Sequence, residues 1–379
     1  MQVVTCIDDL RAMAQKRVAR AIFDYVDRGS YAEFTLRANR ADLESLALRQ
    51  RVGIDVDRRS IRATMIGEPV TMPVALAPVG LTGLNWADGE ILACRAAQRF
   101  GVPFTLSTMS ICSIEDVAEA VKKPFWFQLY VMRDRGFAAS LIERAKAAGC
   151  SALVLTLDLQ IQGQRHRDLK NGLTVPPRLT MSSAFDILLK PGWALNVLRG
   201  KRKSFGNLEG RIPDAKSLTT LSQWVAGQFD PTLSWKDVEW VKKLWGGKLV
   251  LKGILDAEDA KVALGCGIDA IVVSNHGGRQ LDGAISSIRA LPEVVEAVQG
   301  KTEVWVDGGI RSGQDVLKAL ALGADATMIG RAFAYGLGAM GEAGVTRALE
   351  IIRAELDVSM ALCGLRDVKD ASPAILRAF

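Results

Sequence analysis

The sequence predicts an α/β protein built as a closed (β/α)8 barrel, with helices ahead of it and a long insertion after the fourth strand. Three observations carry this. From Pro73 onward, eight short apolar runs alternate with helix-periodic stretches. No G-x-G-x-x-G follows the first run, as a doubly wound dinucleotide fold would require. The glycine-bearing stretches DGGIR (307–311) and IGR (329–331) follow the last two runs, where such barrels hold phosphate. A chain of 379 residues is long for an average domain but ordinary for one barrel. No Pro/Ser-rich linker marks a boundary, so 1–379 reads as one domain with an insertion at about 159–234.

The elements follow in order. Residues 5–28 read as one amphipathic helix with Thr5 as N-cap, Ile7, Leu10, Ala14, Ile22 and Val26 on its apolar stripe, and Gly29 as the stop. A second helical stretch covers about 31–48. The strands are expected at Pro73 to Ala77, Pro103 to Leu106, Phe125 to Leu129, Ala152 to Leu157, Lys248 to Leu251 (ending at Lys252), Asp269 to Val273, Glu303 to Val306 and Asp325 to Ile329. Between them lie helices such as Asp88 to Phe100, Ile114 to Val121 and Gln314 to Leu322. Ser113 with Asp116, Ser234 with Asp237 and Ser312 with Asp315 have the spacing of capping boxes, in which hydroxyl and carboxylate each satisfy a free backbone N–H.

The interval from Leu159 to Ser234 is too long for a passive connection. It contains AFDILLKPGWALNVLRGKRK, residues 184–203, in which apolar residues and Trp193 precede Arg199, Lys201, Arg202 and Lys203. That pattern suits a segment lying in a membrane interface with its cations on lipid phosphates, and equally a lid on the barrel with a solvated basic turn. The membrane reading is assigned to residues 177–215. Net charge of +6 and a pI near 9.0 admit an anionic ligand or membrane surface, while no nucleic-acid-binding motif accompanies the charge. The six cysteines are scattered without a C-x-x-C pair, so they are expected as buried thiols in a reducing compartment, with no metal site. No export signal is expected, because acidic residues interrupt the amino terminus, and no run approaches the ~18 apolar residues of a spanning helix.

Barrel chemistry gathers just past the strand ends. The sixth strand delivers SNHGGRQLD (274–282), with Ser274, Arg279 and His276, one of only two histidines. Imidazole exchanges a proton near neutral pH, and guanidinium grips a carboxylate with two parallel bonds, so a small acid is the expected substrate. The other ends supply Ala77, Val79 and Gly80, then Ser107, Gln128 with Tyr130, Thr156 with Asp158, and Lys252. Arg165 follows seven residues beyond Asp158. Asp307, Gly308, Gly309, Arg311, Gly330 and Arg331 form the phosphate loops. Ser107, Gln128 and Thr156 can bond the edge of a heterocycle and Lys252 can stabilise charge on it, an inventory that flavin mononucleotide (FMN) requires. His166 reads as a loop residue without a catalytic position.

These motifs make the chain resemble the FMN-dependent 2-hydroxy acid dehydrogenase/oxidase family over nearly its whole length. SNHGGRQLD, FQLY, and DGGIR with a later GR carry the likeness, and TLRANRADL, MPVALAPVG, LSTMSIC and VMRDRGF look closest to the bacterial respiratory L-lactate dehydrogenases. The resemblance implies His276 as the active-site base, oriented by Asp158. It implies Arg165 and Arg279 on the substrate carboxylate, Tyr25 and Tyr130 on carboxylate and hydroxyl, and Lys252 on the N1/O2 edge of FMN. It further implies a 2-keto acid product, a quinone or similar acceptor, a tetramer, and peripheral attachment on the cytoplasmic side of the inner membrane. Gly80 stands where the oxidases carry alanine, and Met109 lies near the side-chain pocket. The competing readings are an oxygen-using oxidase, a mandelate-type dehydrogenase, an FMN-binding barrel isomerase and a non-catalytic lactate sensor.

Overall fold

The structure, a computed structural model, describes residues 3–173, 178, 180–210 and 218–377. Eight parallel strands build the barrel: β1 (Val74–Leu76), β2 (Thr105–Ser107), β3 (Trp126–Leu129), β4 (Ala152–Thr156), β5 (Lys248–Ile254), β6 (Ala270–Val273), β7 (Glu303–Val306) and β8 (Ala326–Ile329). They lie in the order β1-β8-β7-β6-β5-β4-β3-β2. A bridge between Leu76 and Phe104 closes the seam, backed by the 2.9 Å bond from the Leu76 N–H to the Pro103 carbonyl. Each expected run is a strand, but β5 passes Lys252 and continues to Ile254 through a bulge at Gly253. Gly253 has φ +101°, and a Cβ there would stand 2.7 Å from Asp158 Cγ, so both the backbone and its neighbour demand glycine.

Alternation along each strand sorts side chains into an outward row, packed beneath the helices, and an inward row. The inward row includes Ala75, Trp126, Val154, Val250, Val272, Trp305 and Met328. Trp126 and Trp305 stack at 5.3 Å across the interior, and the antiparallel hairpin of Ala63–Met65 with Glu68–Val70 closes one end. One step further along the same alternation lie Ala77, Gln128, Thr156, Lys252, Ser274, Asp307 and Gly330. The period of the strand therefore aims the polar strand-end residues at one place.

The helix expected over 5–28 is two helices, Ile7–Arg17 and Arg20–Asp27, interrupted at Val18 and Ala19. The insertion occupies the break. Lys190 donates to the Val18 and Gln15 carbonyls at 2.6 and 3.2 Å, and Asp186 accepts from the Arg20 N–H at 2.6 Å. A cation thus closes the first helix and a carboxylate opens the second, each at the favourable end of a helix dipole. The N-cap is Cys6, not Thr5, and Asp9 accepts from both N–H groups at 2.8 and 3.2 Å. The following helix is Phe34–Ser45 rather than 31–48, because Tyr31 and Glu33 turn the chain with φ of +46° and +63°.

Helices Gly89–Phe100, Ile114–Val121 and Gly313–Ala321 lie within one residue of expectation, and all three capping boxes form. Two closing helices that the sequence reading did not place, Arg331–Met340 and the 21-residue Glu342–Leu362, pack with Ile7–Arg17 across the outside. The insertion carries helices His166–Lys170, Met181–Leu188, Pro191–Arg199 and Leu218–Gln228. Residues 177, 179 and 211–215 of the expected membrane segment lie outside the described residues.

Candidate active site

His276 stands past β6 with φ +58°, followed by Gly277 and Gly278 at +66° and +73°. A non-glycine residue held in this region costs about 1–3 kcal/mol, so the surroundings must impose it. The rest of SNHGGRQLD does so. The His276 N–H bonds Ser274 Oγ at 3.1 Å. Asn275 and Asn39 exchange amide bonds of 2.9 and 2.8 Å, buried between this loop and helix Phe34–Ser45. Gln280 donates to the Asp158 and Ile161 carbonyls at 2.7 and 2.9 Å, and Asp282 accepts from the Ala32 and Thr35 N–H groups at 3.0 and 2.9 Å. The sequence reading gave Asn275, Gln280 and Asp282 no role. Their signal was a run of polar side chains in a glycine loop with nothing apolar to anchor it.

Asp158 meets His276 as expected: Nδ1 lies 2.9 Å from Asp158 Oδ1. That bond occupies one ring nitrogen and leaves Nε2 as the free one. Burial works to raise the Asp158 carboxyl, but the imidazole and then Lys252 outweigh it, so the group lies below the usual carboxylate range.

Two arginines flank this pair. Arg279 lies with its guanidinium 4.7 Å from the Tyr25 ring centre and donates to the Tyr25 and Arg28 backbone carbonyls. Arg165 approaches the same ring at 5.3 Å. Burial, then the charge of Arg165, lowers the pKa of Arg279, as expected for two cations sharing one cavity wall. Asp168, which the sequence reading missed, also lines the cavity, 3.2 Å from Arg165 Nε; burial raises its carboxyl above the usual range. Burial likewise pushes the Tyr130 phenol well up, so Tyr130 is a hydrogen-bond donor and not a base. His166 opens a short helix instead of lying in a loop, and its ring meets Tyr31 edge-on.

Ala77, Val79, Gly80, Ser107, Tyr130, Thr156, Lys252, Asp307, Gly308, Gly309, Arg311, Gly330 and Arg331 line the same cavity as His276 and the arginines. Gln128 and Ser274 are buried just behind that lining. Gln128 Oε1 accepts from Ser107 Oγ at 3.2 Å, and Lys252 Nζ donates to Ser274 Oγ at 2.7 Å while pairing with Asp307 at 2.6 Å. Among the described residues, Gln128 Nε2, Thr156 Oγ1 and Asp307 Oδ1 are buried without a partner. A buried polar atom left unpaired costs about 1–3 kcal/mol, so three at strand ends around one cavity, two of them on the adjacent β3 and β4, are donors and acceptors left for a ligand. Gly308 and Gly309, at φ +94° and +90°, bring backbone alongside; a Cβ on Gly309 would stand 2.4 Å from the Asn39 carbonyl. These features fit a flat, polar-edged heterocycle bearing a phosphate.

The two loop arginines differ in their surroundings. Arg331 gives three N–H groups to the Val26, Gly277 and Arg28 carbonyls at 2.8, 2.9 and 3.0 Å. It braces the Tyr25 helix against the barrel, and burial lowers its pKa to about 10. Arg311 keeps looser company, 3.9 Å from Asp8, and is the freer cation for an anion. Arg40, unremarked in the sequence, joins it by donating to the Gly309 carbonyl at 2.5 Å and Asp315 at 2.7 Å.

The insertion covers the cavity on one side and exposes apolar side chains on the other. Leu173, Phe205, Val225, Ala226 and Phe229 form a roof over the cavity. Beyond the roof, Phe185, Leu188 and Leu198 are 63, 76 and 67% exposed. The expected lipid-facing cations, however, are not all free. Lys201 lies 2.8 Å from Asp116 and Arg202 pairs with the same carboxylate, 86 residues back in the chain. Only Arg199 and Lys203 of that basic run stay exposed without a carboxylate partner among the described residues.

Comparison with known proteins agrees with this geometry. The chain matches the FMN-dependent dehydrogenase family over residues 14–378. It is 48% identical over 369 residues to an L-lactate dehydrogenase of Acinetobacter baumannii, covering 97% of this chain and 96% of the relative. It is 47% identical to an L-lactate dehydrogenase of Acinetobacter baylyi, covering 99 and 97%. Among solved structures, the monotopic membrane protein (S)-mandelate dehydrogenase superposes with a TM-score of 0.94 at 37% identity, covering 99% of this chain and all of that one. A soluble mutant of the membrane-associated (S)-mandelate dehydrogenase from Pseudomonas putida gives 0.84 at 35% identity, covering 99% of each.

Proposed function

The chain belongs to the FMN-dependent dehydrogenase family, and from that premise we propose that it oxidises L-lactate to pyruvate at a membrane surface and delivers the electrons to a quinone or similar acceptor. FMN, when bound, supplies the two-electron acceptor. Gln128, Thr156, Ser107 and Lys252 would hold its heterocycle, Asp307 its hydroxylated chain, and the 307–311 and 329–331 backbones with Arg311 its phosphate. Arg165 and Arg279 bind the substrate carboxylate, a job for which planar guanidinium forks are suited and point charges are not. Tyr25 and Tyr130 donate to carboxylate and hydroxyl. His276 Nε2 removes a proton, and Asp158 holds the ring and stabilises the imidazolium that results.

The observation that carries this reading is the His276–Asp158 pair at 2.9 Å, opening on the same cavity as two arginines. An isomerase needs neither feature. Membrane attachment is supported by the outward apolar side chains of helices Met181–Leu188 and Pro191–Arg199, while no described helix is long and apolar enough to cross a bilayer. The segment therefore lies on the membrane, and we assign it to the cytoplasmic face. The test is anaerobic addition of L- and D-2-hydroxy acids to purified yellow protein. L-lactate should bleach the flavin absorbance and D-lactate should not; bleaching by a bulkier acid alone would make the enzyme mandelate-type, and stoichiometric peroxide in air would make it an oxidase.

A further inference from the structure

The roof of the cavity is chemically unlike its floor. From Leu173 onward, every described insertion residue that lines the cavity is apolar: Leu173, Phe205, Val225, Ala226 and Phe229. Lactate cannot use them, since its only apolar group is a methyl. The walls they stand on are nonetheless firmly built. Asn207, buried, donates to the Ser107 and Thr108 carbonyls at 3.3 and 3.2 Å, which fixes Phe205 over the loop after β2. On the other side Gln228 and Phe229 accept from Arg133, and Trp224 packs edge-on against Phe137 at 5.2 Å. The roof also connects outward. Trp193, on the helix whose Leu195 and Leu198 face solvent, donates to the Leu84 carbonyl at 2.8 Å, and Leu84 itself lines the cavity beside Leu81.

We infer that this roof is the binding site of the electron acceptor, a lipid-soluble quinone whose ring enters between Phe205 and the Val225–Phe229 side and stacks on apolar and aromatic walls. The inference rests on the acceptor reading above and names its place. Apolar walls fixed at both ends and joined to the outward apolar helices form a path for a molecule dissolved in the bilayer, with its polar carbonyls left to the cavity's polar floor. The balance is complete: the 2-hydroxy acid loses two electrons and two protons to become the 2-keto acid, and the quinone takes up two of each and leaves as quinol. Ala226 is the residue to fill, because it stands on the insertion side of the cavity and supplies none of the side chains assigned to substrate or proton transfer.

Ala226→Trp should leave anaerobic bleaching by L-lactate within roughly twofold of the unaltered enzyme. It should slow turnover with a short-chain benzoquinone by roughly tenfold or more, with ferricyanide turnover unchanged. In Ala226→Cys, the same benzoquinone should protect the new thiol from a maleimide, measured over the slow background of half-exposed Cys6; this second variant answers the question by binding if the first does not fold. Unimpaired benzoquinone turnover in Ala226→Trp, or no protection in Ala226→Cys, overturns the inference. So does a rise in KM confined to phenyl-bearing 2-hydroxy acids, which would give the roof to the substrate side chain. Failure of L-lactate to bleach the unaltered enzyme is a separate result, and sinks the substrate reading instead.

Discussion

In β1 through β8 the apolar side chains turn inward or under the helices, and Leu76, Phe127, Val154, Leu251 and Val272 are wholly inaccessible. In helix Pro191–Arg199 no residue is buried at all, and Leu195 and Leu198 stand 57 and 67% exposed. The barrel satisfies itself; the insertion's outer helices leave their apolar faces unmatched. Their attachment is largely polar, with Trp193 packed against the core: Lys190 and Asp186 sit in the break between the first two helices, Asn196 accepts from the Ala87 N–H at 2.9 Å, and Lys201 and Arg202 meet Asp116. An element held from behind largely by polar contacts while presenting apolar residues in front leaves a face that water does not favour. Under the proposed function, the barrel would carry the chemistry and the insertion its location.

The strongest test of that division removes the barrel's base. His276→Ala should retain FMN, because no cradle residue depends on the imidazole, and should bleach with L-lactate roughly 10²–10⁴-fold more slowly, the usual worth of a positioned general base. Liposome binding should not change. Arg279→Lys comes next: losing charge-assisted bonds of about 1.5–3 kcal/mol should lower kcat/KM by roughly 10–100-fold, with the fall dominated by KM. Normal kinetics in either variant would move the chemistry away from the strand ends.

Gly80 gives a smaller effect. A Cβ at this position would lie 3.1 Å from the Tyr25 hydroxyl and 3.3 Å from the Met109 carbonyl, so Gly80→Ala must displace one of them by a few tenths of an ångström. A shift of that size in a substrate-contacting hydroxyl should raise KM by roughly 3–10-fold. A crystal structure of the variant with Tyr25 unmoved and KM unchanged would refute this.

Much of this division was legible in the sequence, and the parts that were not share a cause. The strands were readable because short apolar runs bounded by capping boxes are local signals, and strand-end placement singled out His276 and Asp158 separately, while their pairing was implied by the family resemblance. What could not be read depends on contacts between distant residues. Residues 5–28 have a continuous helical stripe, while Lys190 and Asp186, which satisfy the backbone at the break, lie far away in sequence. Lys201 and Arg202 looked free because Asp116 is far away in sequence, and its capping-box role with Ser113 was enough to account for it. The bracing contacts of Arg331 could not be read, because the three carbonyls it bonds come from two other segments.

Asp116 tests the polar attachment. Burial works against its ionised form, but Arg202 and then Lys201 more than offset that, holding the carboxyl well below the usual carboxylate range. A depressed carboxylate contributes stability above its unfolded pKa of about 3.9 and loses it only as pH falls through the lower folded value. The 200–209 stretch should accordingly stay protected from protease at about pH 4.5. Asp116→Asn should expose it at neutral pH and lower global stability by about 1–2 kcal/mol, through loss of the cap and weakening of the pairs. Equal protection in the variant would show that apolar packing holds the insertion.

The mildest change for catalysis, and the sharpest for the comparison, is made on the insertion's outer face. Replacing all of 177–215 by a flexible linker would remove Phe205 from the roof and Asn207 from its bonds to Ser107 and Thr108, so loss of activity would say nothing about membranes. Substituting Phe185, Leu188, Leu195 and Leu198 by glutamate keeps those anchors and alters only side chains that stand more than half exposed. Each apolar side chain withdrawn from a bilayer forfeits about 1.5–3 kcal/mol, and the new charges repel an anionic surface, so the variant should stay in solution with liposomes that sediment the unaltered enzyme. FMN content, bleaching by L-lactate and ferricyanide turnover should be unchanged. Because these apolar contacts do not depend on ionic strength, binding of the unaltered enzyme should weaken with salt without vanishing, the residue of binding at high salt measuring the apolar share. A variant that still sediments would place the membrane contact elsewhere on the molecule, and one that loses flavin would show that the insertion's outer face supports the barrel after all.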